Sequence, residues 1–235
     1  MHTAPILAPR PAGEALHRAQ WQRTIAGYIL DAVEPAAMLA LVGLALGLGS
    51  RSRRQGFLVF ACIALVLTAA RRLNNAIVSW TDLQDLRTYA WLASVMGVPT
   101  MTAWVLAWNR WCLPAWRSID ALAIALGVAG IVGALAHLPI WASVSRLGSI
   151  ALFAVIVVRI VRGDPIRMLA LLTLASIVAV LFGGELLDPI GVPGIWFPFN
   201  IGVSRTQYIH AISIPLLAIL IVRTLPPSNA QRTAR

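Results

Sequence analysis

Apolar residues along this chain gather into seven long runs, at residues 25–48, 57–80, 89–109, 119–138, 144–161, 168–187 and 207–225. Each run approaches the roughly 20 residues that an α-helix needs to cross a hydrocarbon core of about 30 Å. Strands are not expected, because a long apolar segment in lipid must satisfy its own backbone, and a helix does so within itself. The first run carries Pro35 inside it, with its longest apolar part beyond that proline. From Gly13 the preceding segment reads as an amphipathic helix at the membrane surface or as a disordered arm. The pattern predicts an all-α polytopic membrane protein: an N-terminal segment over 1–24, a seven-helix transmembrane bundle over 25–225, and a tail over 226–235.

The short links between the runs orient the bundle. Arg51, Arg53 and Arg54 lie in the first link, Arg110 and Arg117 around the third, and Arg162 and Arg167 around the fifth. Arg223, Arg232 and Arg235 end the chain, whereas the even links hold Asp82, Asp85 and Asp188 with few arginines. Basic residues concentrate on cytoplasmic loops, so the odd links and the C-terminus are expected in the cytoplasm and the N-terminus outside. Trp80, Trp91, Trp108, Trp111, Trp116, Trp141 and Trp196 sit near the run ends, where an interfacial tryptophan belt is expected. Gly43 and Gly47 in the first run, and Gly127, Gly130 and Gly133 in the fourth, are candidates for close helix contacts.

Composition agrees with the pattern. Hydrophobic residues make up 59 % of the 235 and charged residues 12 %, against roughly 25 % charged in a soluble domain. All 19 basic residues are Arg, which excludes chemistry that needs a lysine amine, a retinal Schiff base included. The net charge of +10 fits cytoplasmic loops facing anionic headgroups, and no nucleic-acid partner is inferred. The two cysteines, Cys62 and Cys112, read as free thiols. No signal-peptide cleavage pattern follows the first run.

Polar residues inside the runs are expensive in lipid, so their depth is informative. Asp31 and Glu34 lie in the outer part of the first run, and Arg71, Arg72, Asn74 and Asn75 lie toward the outer end of the second. At a rise of about 1.5 Å per residue the arginine pair is roughly 21 Å from the cytoplasmic end. His137 and Arg146 flank the outer fourth link, Glu185 ends the sixth run and His210 begins the seventh. The inner half of the bundle is expected to hold almost nothing comparable. These groups predict an outward-facing cavity for a small anionic or amphiphilic ligand, with arginine suited to a carboxylate or phosphate. The plainer alternatives are snorkelling arginines, a structural Glu34–arginine ion pair, interfacial hydrogen bonding by His137 and His210, and a helix-terminal role for Glu185. The sixth link, with Pro189, Pro193 and Pro198 among Gly191, Gly194 and Gly202, rules out a regular helix. Its Trp196, Phe197 and Phe199 suit either a lid over the cavity or an aromatic lipid anchor. The predicted ligand-binding set is Glu34, Arg71, Arg72, Asn75, His137, Arg146, Glu185, Trp196 and His210.

The chain contains no HExxH, GxSxG, P-loop or CxxC motif. No catalytic residue, metal site or cofactor is predicted, and an enzyme is the less favoured reading.

The stretch Gly191-Val-Pro-Gly-Ile-Trp-Phe-Pro-Phe-Asn-Ile-Gly-Val-Ser-Arg-Thr-Gln-Tyr208 resembles the last outer loop of seven-helix membrane input modules in bacterial signalling proteins. In those proteins the bundle precedes a cytoplasmic histidine kinase, diguanylate cyclase or phosphatase. The likeness covers some 20–40 residues, and beyond it only the helix count and orientation agree. About ten residues follow the last run, so no output domain is expected here. The resemblance implies an inner-membrane sensor that meets its ligand from outside and works through a separate cytoplasmic signalling protein. The rival readings are a small transporter or permease, and an intramembrane enzyme acting on a lipid-linked substrate.

Overall fold

The computed structural model describes residues 10–27, 29–49, 52, 54–80, 86–163, 166–187, 195–197, 201–203 and 205–225. Among these residues there are eight helices: α1 Arg10–Gly27, α2 Leu30–Gly49, α3 Gln55–Trp80, α4 Leu86–Trp111, α5 Arg117–Leu135, α6 Pro139–Gly163, α7 Arg167–Leu187 and α8 Arg205–Arg223. Helices α2 to α8 fall over the seven apolar runs. The segment before them is helical too, and α1 breaks from α2 before Leu30 rather than merging with the first run.

Five helices are long and apolar enough to cross a membrane: α2, α3, α5, α6 and α8. Their outer faces remain apolar. Leu46, Val59, Val132, Leu147 and Val222 are all exposed, while the opposite faces of the same helices bury Met38, Phe57, Ala123, Ile156 and Leu220. A helix that is apolar on both faces suits a bilayer, where lipid covers the outward one.

Consecutive helices pack as neighbours and the bundle closes on itself. α3 lies between α2 and α4, α4 meets α6, α6 meets α7, α7 meets α8, and α8 returns to α2. α5 sits against α4 and α6. Buried hydroxyls inside the helices are satisfied locally: Thr68, Thr100, Ser149 and Thr173 each donate to the carbonyl four residues earlier. This spares the bundle unpaired polar groups where no water is available.

The α4–α5–α6 contact is built on glycines. A Cβ added at Gly130 would stand 2.8 Å from Ser145 Cβ and 2.9 Å from Val98 Cγ1, and one at Gly127 would stand 2.5 Å from Thr102 Oγ1. Gly43 and Gly47 face open space within 4 Å, so the expected close contact through the first run does not form. Gly130→Ala should therefore destabilise the protein by about 1–3 kcal/mol through overpacking. Gly43→Ala should be neutral or stabilising, since alanine is the better helix former. Thermal unfolding of the two variants in detergent checks the contrast; equal melting temperatures would refute it.

Two further expectations are corrected. Trp108 and Trp111 are fully buried, not interfacial. They pack with Phe57 at ring centroids 5.6 and 4.9 Å away, because α3 and α4 press together at this end. Trp91, Trp116 and Trp141 are exposed, as an interfacial belt requires. The sixth link also contains strands. Ile195–Phe197 (β1) pairs antiparallel with Ile201–Val203 (β2), Trp196 opposite Gly202. Prolines that forbid a helix leave the extended conformation open, and a closed hairpin satisfies part of its own backbone. β2 adjoins α1 and α2.

Candidate functional site

Near the hairpin, α2, α3 and α8 bring charged side chains together in a buried cluster. Asp31 and Glu34 occupy the first two turns of α2, and Gln207 and His210 the first two turns of α8. Arg72 comes from the last third of the antiparallel α3. Asp31 in the first helical turn meets the positive end of the α2 dipole and accepts a hydrogen bond of 2.6 Å from Gln207 Nε2. One turn deeper, Glu34 Oε1 meets His210 Nδ1 and lies 3.6 Å from Arg72 Nε.

The geometry assigns the proton positions. Glu34 needs a donor, so His210 Nδ1 carries a hydrogen toward it. Arg72 Nη2, 3.5 Å from the same nitrogen, is then a neighbouring charge rather than a hydrogen-bond donor to the ring. Glu34 and His210 side chains are each 5 % exposed and Arg72 13 %, which places an ion pair largely out of water. Among the described residues Glu34 Oε2 is buried and has no hydrogen-bond partner. A carboxylate oxygen in that state costs of the order of 1–3 kcal/mol.

Below His210 lies a small cavity of about 20 Å³ lined by Met38, Leu65, Trp104, Ile177, Ser213 and Leu217 among others. It has room for about one water. Further inward, Phe57, Trp108, Ile156, Leu220 and Ile221 fill the bundle.

The sequence-predicted residues divide. Glu34, Arg72 and His210 converge. Arg71 is half-buried beside them and leans toward α4, its Nη1 3.9 Å from the Cβ position of Gly97. His137 and Arg146 are exposed at the α5–α6 corner, outside the buried cluster. His137 instead shapes the backbone. With φ of 55° it occupies the left-handed position that stops α5. Leu138 N–H closes that turn on Gly133 O at 2.7 Å. The side chains of Asn75, Glu185 and Trp196 lie outside the described residues. Asp31 and Gln207 complete the cluster although neither belongs to the predicted set; only their tertiary pairing marks Gln207.

A second polar network occupies the opposite end, where the inner half was expected to be nearly bare. Asn109, fully buried, donates to Trp116 O at 2.8 Å and Asp120 Oδ1 at 2.7 Å. It accepts from Trp116 N at 3.2 Å and Arg159 Nη1 at 2.7 Å. Arg110 pairs with Asp120 at 2.5 Å. This network folds the α4–α5 corner and ties α6 to it. The reason sequence reading passes over it is spacing: Asn109 and Arg159 are far apart in the chain and each resembles an ordinary helix-end residue.

Among the described residues no group of three or more His, Cys, Asp and Glu side chains could hold a metal ion. Cys62 and Cys112 are free and buried. The chain matches no protein-family model, and no similar protein is found among curated proteins or solved structures.

Proposed function

We propose that this chain is a seven-helix receptor-like protein of the bacterial inner membrane, N-terminus outside and C-terminus in the cytoplasm. In this reading it binds a small amphiphilic ligand at the Glu34–Arg72–His210 cluster and signals to a cytoplasmic partner. The observation that carries the reading is the buried Glu34 carboxylate, whose Oε2 has no hydrogen-bond partner among the described residues, at a seam of three helices beside a hairpin. A ligand that brings a hydrogen-bond donor to Glu34 and an acidic group to Arg72 would complete the site. The space available is about 20 Å³, so binding opens the α2–α8 seam.

In this reading the signal travels along α8. α8 carries His210 near one end and Thr224 just beyond the other, where Ser52 Oγ donates to Thr224 Oγ1 at 2.8 Å. Ser52 follows α2, so in this reading a movement of α8 against α2 at the cluster reaches this hydrogen bond. Such a shift belongs to the known repertoire of helix displacements. The large apolar side chains packed inward of the cavity, Phe57, Trp108, Ile156 and Leu220, favour sensing over transport in this reading.

The test uses the full chain in lipid nanodiscs against a panel of small carboxylic acids, amino acids, amines and fatty acids. We expect saturable thermal stabilisation by one chemical class, lost in Glu34→Gln and Arg72→Gln. Stabilisation that survives both substitutions, or a panel with no saturable member, would overturn the cluster as the binding site. Uptake of the stabilising compound into proteoliposomes would replace sensing by transport.

A further inference from the structure

The contact with Glu34 uses only one edge of the His210 ring. Among the described residues the side chain makes its polar contacts through Nδ1, with Glu34 and with Arg72 Nη2. With the hydrogen on Nδ1, the other nitrogen, Nε2, is an acceptor. His210 is 4 % exposed, and no described residue donates to Nε2. A buried lone pair of this kind ordinarily finds a donor.

The same face of α8 carries a second under-used group. Ser213 stands three residues further along the helix and is 3 % exposed. Its hydroxyl reaches His210 O at 3.4 Å, which is long for a bond given by an O–H. The Ser213 oxygen therefore has capacity to spare. Residues three apart on a helix are surface neighbours, so the two groups look into the same space.

That space is the cavity of about 20 Å³, which both His210 and Ser213 line. Its other walls include Leu65 of α3, Trp104 of α4, Ile177 of α7 and Leu217 of α8. A cavity with aliphatic walls alone stays dry, whereas one with room above roughly 10–15 Å³ and at least two polar partners takes up water. Here both conditions hold. The volume leaves little room beyond a single molecule, and an organic group would not fit without moving the helices.

We propose that one ordered water occupies this cavity, giving one hydrogen to His210 Nε2 and the other to Ser213 Oγ. The hydrogen bond that one imidazole nitrogen makes determines which nitrogen keeps the proton. With the water on Nε2, the hydrogen stays on Nδ1 and is aimed at Glu34. Ser213, the water, His210 and Glu34 then form one chain of hydrogen bonds from α8 to α2 across the seam. His210 acts in it as a positioning residue: it holds the carboxylate, and the water holds the ring. The water belongs to the fold of the cluster, whatever ligand Glu34 receives.

The test is NMR of the full chain in lipid bilayers, with the histidine ring nitrogens isotope-labelled, at about pH 8, where an ordinary imidazole is neutral. Four histidines are present, and His2→Gln, His17→Gln and His137→Gln identify the His210 signals by elimination without touching the cluster. We expect Nδ1 to carry a hydrogen and Nε2 to be bare, hydrogen-bonded and reached by magnetisation from water protons. Ser213→Ala removes one of the two partners and adds no bulk, so the transfer from water to Nε2 should weaken. A hydrogen found on Nε2, or an Nε2 that water protons do not reach in the parent protein, would overturn the proposal. Transfer unchanged in Ser213→Ala would overturn the bridge to Ser213. Each result reads the His210 ring itself, so it stands apart from the ligand responses of the Glu34 and Arg72 variants.

Discussion

Replacing Arg72 by alanine should lower stability by about 3–5 kcal/mol, the range for breaking a buried ion pair from one side. The substitution leaves Glu34 inside the α2–α3–α8 seam, its side chain 5 % exposed, with His210 as its remaining partner. Among the described residues Glu34 Oε2 is already without a hydrogen bond. The reverse substitution, Glu34→Gln, should cost less. Arg72 is 13 % exposed on a long flexible stem near the end of the bundle, and can turn its guanidinium toward water. In the double variant Arg72→Ala/Glu34→Gln the Glu34 charge is no longer abandoned, and part of the Arg72→Ala loss should return; Asp31 keeps its Gln207 hydrogen bond but still loses the neighbouring Arg72 charge. Thermal unfolding of the four proteins in one detergent forms a double-mutant cycle. Additive losses would mean that the two side chains do not interact, and the candidate site would lose its centre. The same variants serve the ligand experiment, and they must be folded at its temperature for a lost response to mean lost binding.

The second large effect is expected at the other end. Asn109→Ala removes a side chain that uses both N–H donors and both lone pairs of its amide. The orientation of that amide is not arbitrary: turned over, it would set its NH₂ against the Trp116 N–H and Arg159. Losing it leaves the Trp116 N–H and Arg159 Nη1 each short of the acceptor they have here. Trp116 O is better protected, since Ile119 N and Asp120 N also donate to it. At about 1–3 kcal/mol for each orphaned group, the expected loss is roughly 2–4 kcal/mol. Asn109→Asp has nearly the same shape but should do little better. It gives up both donors and places a second carboxylate against Asp120. As a contrast, Thr68→Val should cost below about 1.5 kcal/mol, because its hydroxyl serves only its own helix. If Asn109→Asp melted like the parent protein, the described bonding could not be what holds the α4–α5 corner.

The two networks play different parts in the fold. The Asn109 corner is saturated and joins α4, α5 and α6 where the aromatic group of Phe57, Trp108 and Trp111 is densest. The Glu34 cluster differs: among the described residues Glu34 Oε2 is buried without a hydrogen-bond partner, and little space lies around it. In proteins such incompleteness concentrates at sites that act rather than at sites that only support. That contrast is why the proposed reading puts ligand recognition at Glu34 and not at the Asn109 corner.

Much of this was legible from residue order alone. The seven apolar runs and α2 to α8 coincide because helix formation in lipid is local: each segment bonds its own backbone and needs no neighbour to specify it. The depth of Glu34, Arg72 and His210 was readable for the same reason, since rise per residue converts position into height. Sequence order holds no record of rotation about a helix axis, and there the tertiary structure decided. It turned Glu34, Arg72 and His210 toward one seam and left His137 and Arg146 outside on the α5–α6 corner. It found in Gln207 a partner for Asp31. It buried Trp108 and Trp111, which near a run end looked interfacial, and made Gly127 and Gly130 contact points while Gly43 faced open space. It also joined Asn109 to Arg159 across 50 residues. Height along a helix follows from covalent spacing, whereas facing is set by which helices become neighbours, and that depends on the packing of the whole bundle.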